Sequence, residues 1–115
     1  MELYHFSNGY YKTLTPQFGE NRNNSEDSRV SGKPCIWFTN KKRMVNGSEY
    51  SFCYVVDVDE TDPDLIEDET VNDLMRQSGG DMKWYAYTKE IEPKEIYRKN
   101  NGIFEPINRI MEKNL

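Results

Sequence analysis

The stretch from Glu49 to Val58, EYSFCYVVDV, constrains the fold more than any other part of the chain. Val55 and Val56 are β-branched, Phe52 and Tyr54 stand beside them, and such residues fit a pleated, half-buried surface. Other segments repeat the theme. Glu2-Leu3-Tyr4-His5-Phe6-Ser7 alternates and is aromatic. Cys35-Ile36-Trp37-Phe38-Thr39 is an apolar run after Pro34 and reads as a buried strand. Lys83-Trp84-Tyr85-Ala86-Tyr87-Thr88 is another aromatic strand, and Glu95-Ile96-Tyr97-Arg98 a shorter one. Asn100-Asn101-Gly102 is a hairpin turn signal. The 115 residues suffice for one domain, taken as residues 1–115. Only 36% are apolar and mean hydropathy is −0.94, values that alone suggest disorder. The 13% aromatic content argues for a small aromatic core under a polar surface.

Helical signals are fewer. Leu65, Ile66, Val71, Leu74 and Met75 suggest a helix, ended by Gln77-Ser78-Gly79-Gly80. Pro106 suits the first position of a terminal helix with Ile107, Ile110 and Met111 on one face. Residues Gly19 to Gly32 are polar and aperiodic and read as a long loop. Several short strands with one or two helices make the class α+β.

Charge is segregated. Asp57, Asp59, Glu60, Asp62, Asp64, Glu67, Asp68, Glu69 and Asp73 fall in one block without a Lys or Arg, inside a chain of net charge −5. Such a block is ordinarily a solvated face, or else an acidic surface for a basic partner. The cluster Lys41-Lys42-Arg43 is too short to signal nucleic-acid binding. No apolar run approaches the ~18 residues needed to span a bilayer, and no signal peptide is visible, so no membrane partner and a cytoplasmic location are expected. Cys35 and Cys53 read as buried thiols. With the single histidine, His5, they lack zinc-site spacing, so no metal is expected. The glycine loops that cradle phosphates in P-loop and dinucleotide-binding folds are absent.

His5 and Ser7, two apart on a strand, share a face and can converge on one pocket. A neutral imidazole donates from one nitrogen and accepts at the other, so His5 suits a ribose hydroxyl. A Cys35–His5 nucleophilic pair is the formal alternative, but no orienting residue accompanies it. The rings of Tyr50, Phe52, Tyr54, Trp84, Tyr85 and Tyr87 read as core and sheet surface.

Leu3-Tyr4-His5-Phe6-Ser7, followed after a polar loop by Ile36-Trp37-Phe38-Thr39, resembles the ADP-ribosyltransferase superfamily. Its members open on a strand reading Y-H-G-[ST] or Y-H-F-T, with a second reading [IV]-Y-[FL]-[TAS]. The small rifamycin-inactivating enzymes are nearest in size, with counterparts of Tyr54-Val55-Val56-Asp57 and Asp62-Pro63-Asp64; the RNA 2'-phosphotransferases share the opening. The closing strands, Trp84 to Ile96, are similar as well, so the resemblance covers most of residues 1–98. It implies an ADP-ribosyltransferase-like fold of two small packed β-sheets, with His5 and Trp37 bordering the cleft between them. It implies NAD as the bound cofactor, held by His5, Phe6, Ser7, Trp37 and Thr39. It implies a catalytic carboxylate, with Asp62, Asp64 and Glu90 the candidates and Glu92 beside the last. The acceptor would be an unidentified protein or nucleic acid. Three departures stand out: Trp37 replaces a tyrosine, Phe6 replaces a glycine, and Lys83 lies near where several relatives carry glutamate.

A reading from another class is a non-enzymatic, acidic binding or inhibitor protein on the same scaffold, steered to a basic partner by its carboxylates. The Asn, Lys and Tyr content fits an AT-rich genome, such as that of a bacteriophage, in which case the location is the host cytoplasm. RNA 2'-phosphate transfer would need arginines around the phosphate, and Arg22, Arg29, Arg43, Arg76, Arg98 and Arg109 form no such motif.

Overall fold

The computed structural model describes residues 1–17, 32–42 and 50–107. Seven strands and one helix follow in the order β1 (Glu2–Ser7), β2 (Ile36–Thr39), β3 (Phe52–Asp57), β4 (Leu65–Glu67), α1 (Glu69–Gln77), β5 (Trp84–Tyr87), β6 (Glu95–Asn100) and β7 (Ile103–Pro106). All strand pairs are antiparallel, in one sheet ordered β4-β5-β2-β1-β3-β6-β7. The molecule is thus a mostly-sheet domain with a single described helix.

The two packed sheets of the sequence reading are corrected to one sheet. The reason lies in β1, which gives one edge to β3 and the other to β2. Its pairing with β3 runs from Glu2↔Asp57 to Ser7↔Phe52, but its register with β2 is the single pair Tyr4↔Thr39. Two groups of strands, β4-β5-β2 and β1-β3-β6-β7, therefore meet at one narrow junction.

Side-chain alternation sends residues to both faces. Leu3, Ile36, Phe38, Tyr54, Val56, Tyr85, Tyr87 and Ile96 form the main core on one face. Cys35, Ile66 and Ala86, with Trp37 against them, form a second cluster. Fully burying a side chain such as Leu3 or Val56 contributes about 1.5–3 kcal/mol. The segment after β1 is drawn onto the main core by Leu14, which exchanges backbone hydrogen bonds with Ile91 at 2.9 and 3.0 Å.

The helix begins later than the apolar pattern suggests. Leu65 and Ile66 belong to β4, because Asp62 turns the chain, its carbonyl accepting from the Leu65 amide (3.1 Å) and its carboxylate from the Asp64 amide (2.9 Å). Asp68 then caps α1 by accepting from the Val71 amide (3.1 Å). Asn72 is the helix's buried residue, while Leu74 is 59% exposed. Pro106 lies in β7 and starts no helix, and Ile110 and Met111 lie outside the described residues. So do most of the expected Gly19–Gly32 loop, and Arg43 of the basic cluster. The β6–β7 hairpin forms at Asn101-Gly102, both at positive φ (52° and 82°), as a two-residue type I′ turn requires.

Candidate functional site

His5 stands at the junction of the two strand groups. It pairs with Tyr54 of β3, and on its other side the β1–β2 register has already run out. The imidazole takes the place of a ladder hydrogen bond: Nδ1 lies 2.8 Å from the Trp37 carbonyl oxygen. Phe38 meets the ring edge-on and Tyr54 at a tilt, both with centroids at 5.9 Å.

This setting fixes the tautomer. Burial pushes the His5 pKa below 6.5, with the Trp37 carbonyl opposing more weakly, so the ring is neutral at pH 7. A carbonyl can only accept, so the single ring proton sits on Nδ1. Nε2 is then a lone-pair acceptor. It makes no hydrogen bond within the protein, and because no fully enclosed side-chain nitrogen or oxygen lacks a partner among the described residues, Nε2 is not fully enclosed.

The other expected site residues divide by face. Ser7 shares the His5 face, but its Oγ accepts from the Gly9 amide (3.1 Å) and shapes the turn after β1. Trp37 meets His5 only through its backbone. Its ring is half-buried against Cys35, Ile66 and Ala86, on the opposite face. Phe6 also lies on that face, with Tyr50 and Phe104 at 6.2 and 6.0 Å. Thr39 is buried there and its hydroxyl donates to the Lys41 carbonyl (3.0 Å).

Among the acids, Asp62 is linked to His5 through the core. Its Oδ2 accepts from the Tyr87 hydroxyl at 2.8 Å, Tyr87 contacts Phe38 at 6.5 Å, and Phe38 contacts His5. Burial first, then this hydrogen bond, pushes the Tyr87 phenol up to about 12. Asp64 is also half-buried; its carboxylate pairs with Lys89 (3.0 Å) and accepts from the Thr88 hydroxyl (3.4 Å). Glu90 and Glu92 are exposed and flank the Ile91–Leu14 bridge. Lys83, which stands near the glutamate position of the resembling family, sits 4.0 Å from Glu67.

Phe38 and Tyr54 frame the His5 ring, a contact that sequence reasoning missed. Tyr54 donates to the Gly9 carbonyl (2.6 Å) and accepts from the Tyr11 amide (2.8 Å), which ties the turn after β1 to the core beside His5. Only the register pairing of residues 5 and 54 would have exposed this. The thiols lie on the face away from His5, and burial raises Cys35 to about 11 and Cys53 to about 12, so neither is a nucleophile paired with the imidazole. Among the described residues no helix is long and apolar enough to cross a membrane.

Compared with protein-family models, curated proteins and solved structures, the chain matches none.

Proposed function

We propose that the chain binds NAD at His5 and is a mono-ADP-ribosyltransferase-like protein acting in the cytoplasm on a protein or nucleic-acid acceptor. The observation that carries the reading is the Nε2 acceptor of a tautomer-locked His5, which no protein group uses, at the point where two strand groups meet. A ribose hydroxyl donates to such a nitrogen without any change in the ring's protonation.

In this reading the nicotinamide–ribose bond breaks, nicotinamide leaves with the bonding electrons, and positive charge develops on the ribose. A carboxylate aimed at that charge lowers the barrier. Asp62 is the residue best suited to this, being linked to the His5 side of the sheet through Tyr87 and Phe38. Asp64 is held by Lys89, and Glu90 is exposed at the edge of the β5–β6 connection.

The acidic inhibitor reading has less support, because the carboxylates are largely occupied within the chain. Asp57 pairs with the Met1 amino group, Asp59 with Thr61, Asp64 with Lys89, Glu67 with Asn72, and Asp73 with Arg76; Asp68 caps α1. The test is NAD hydrolysis by the wild-type chain, Asp62→Asn and Asp64→Asn. Loss of about 10²–10³-fold with Asp62→Asn, and little change with Asp64→Asn, is expected. A wild-type chain that neither binds nor turns over NAD refutes the reading.

A further inference from the structure

The chain holds three Asn-Gly pairs, Asn8-Gly9, Asn46-Gly47 and Asn101-Gly102, of which the second lies outside the described residues. A glycine after asparagine leaves the carboxamide carbon open to the next backbone nitrogen, because no Cβ shields the approach and the backbone turns freely. The two described pairs stand in opposite settings.

At Asn8-Gly9 both reacting groups are held. The Gly9 amide donates to the Ser7 Oγ (3.1 Å), and the Asn8 Oδ1 accepts from the Ser51 amide (3.1 Å). The Gly9 carbonyl accepts from the Tyr54 hydroxyl (2.6 Å), which fixes the turn from the other side. At Asn101-Gly102 neither group is held. Both residues are exposed at the tip of the β6–β7 hairpin, and among the described residues neither the Gly102 amide nor the Asn101 carboxamide has a hydrogen-bond partner.

We propose that Asn101 is a site of spontaneous deamidation, with the Gly102 backbone nitrogen as the nucleophile. Hydroxide takes the Gly102 amide proton, the nitrogen bonds to the Asn101 Cγ, and the carboxamide nitrogen leaves as ammonia. Water then opens the five-membered imide at one of its two carbonyl carbons. Cleavage at Cγ gives aspartate; cleavage at the backbone carbonyl gives isoaspartate, whose main chain runs through Cβ. The two products act differently on the fold. Asp-Gly makes the same two-residue type I′ turn as Asn-Gly, so aspartate keeps the hairpin. Isoaspartate adds a main-chain methylene inside the turn, which breaks the closure between Asn100 and Ile103 and with it the β6–β7 register. β7 ends the sheet, with β6 its one neighbour among the described strands, so no second strand holds it in place.

The experiment ages the wild-type chain at pH 8, native and in urea, and follows its tryptic peptides by mass spectrometry. Trypsin puts the two pairs on separate peptides, residues 1–12 and 100–109. In the native chain the 100–109 peptide is expected to gain the deamidation mass at Asn101 and to split into two isomers. The 1–12 peptide should convert at least about tenfold more slowly, because its groups react only after local opening. In urea the two should convert at similar rates. Native conversion of the 1–12 peptide as fast as the other, or a 100–109 peptide that stays intact in the native chain and converts in urea, overturns the assignment. Deuterium exchange supplies a second readout: the β7 amides should lose protection in the isoaspartyl fraction and keep it in Asn101→Asp. Equal protection in both overturns the consequence drawn for β7.

Discussion

At the scale of single residues, the site is defined by which groups have their hydrogen bonds satisfied and which do not. His5 uses one nitrogen structurally and leaves the other without a protein partner. That economy has a pH signature. Its folded pKa lies below the ordinary 6.5, so between the two values the unfolded chain binds the extra proton. Stability is therefore full above pH 6.5 and falls as pH drops towards the folded pKa. Denaturant midpoints of the wild type are expected to decline over that window, and His5→Gln to show a smaller decline. Parallel curves would remove burial of a neutral imidazole from the account. The thiols follow the opposite direction: burial lifts both far above neutrality, to about 11 and about 12. Neither is expected to react with a disulfide reagent at pH 8 until the chain is unfolded, and prompt labelling in the native state would contradict their burial.

At the scale of elements, the strands were legible where side chains carry the β signal alone. EYSFCYVVDV contains β3, CIWFT contains β2, and Asn101-Gly102 makes the turn that its composition demands. The helix was misread because its attachment is polar. Leu65 and Ile66 looked like its first apolar turn, but α1 is held to β5 by Asn72. The Asn72 Oδ1 accepts from the Trp84 amide (2.7 Å), and its Nδ2 donates to Glu67 (3.1 Å) and reaches the Trp84 carbonyl (3.4 Å). No hydrophobic period reports an amide that substitutes for a neighbouring strand. Replacing Asn72 by Leu would leave the Trp84 amide unpaired and should cost about 1–3 kcal/mol in chemical denaturation. Removing the cap with Asp68→Ala should cost about 1 kcal/mol. A neutral Asn72→Leu would mean that water replaces those bonds and that α1 is anchored elsewhere. The site was legible only in part for a related reason. His5 and Asp62 announce themselves by residue type, whereas the face on which Trp37 falls depends on where β1 and β2 stop pairing.

At the scale of the whole molecule, one sheet is joined through a single β1–β2 residue pair, and the only histidine in the chain sits beside that joint. A ligand bound there would bridge the two strand groups. The acids crowded between Asp57 and Asp73 serve mainly to fasten the β3–β4 connection and α1 to the rest. Neutralising Asp62 or Asp68 should accordingly lower stability, an effect seen in thermal melts at both low and high salt, because partly buried hydrogen bonds are little screened. A cost that vanishes at high salt would return weight to the charged-surface reading.

The most direct measurement uses the fact that His5 is the chain's sole histidine, so one imidazole fills the ring-nitrogen spectrum. In ¹⁵N-labelled protein at pH 7.5 the account expects protonated Nδ1 and unprotonated Nε2, with the Nε2 resonance moving on addition of NAD as its lone pair accepts a hydrogen bond. A proton found on Nε2 in the free protein, or an Nε2 signal unmoved at saturating NAD, would contradict the claim that this nitrogen is the ligand's acceptor.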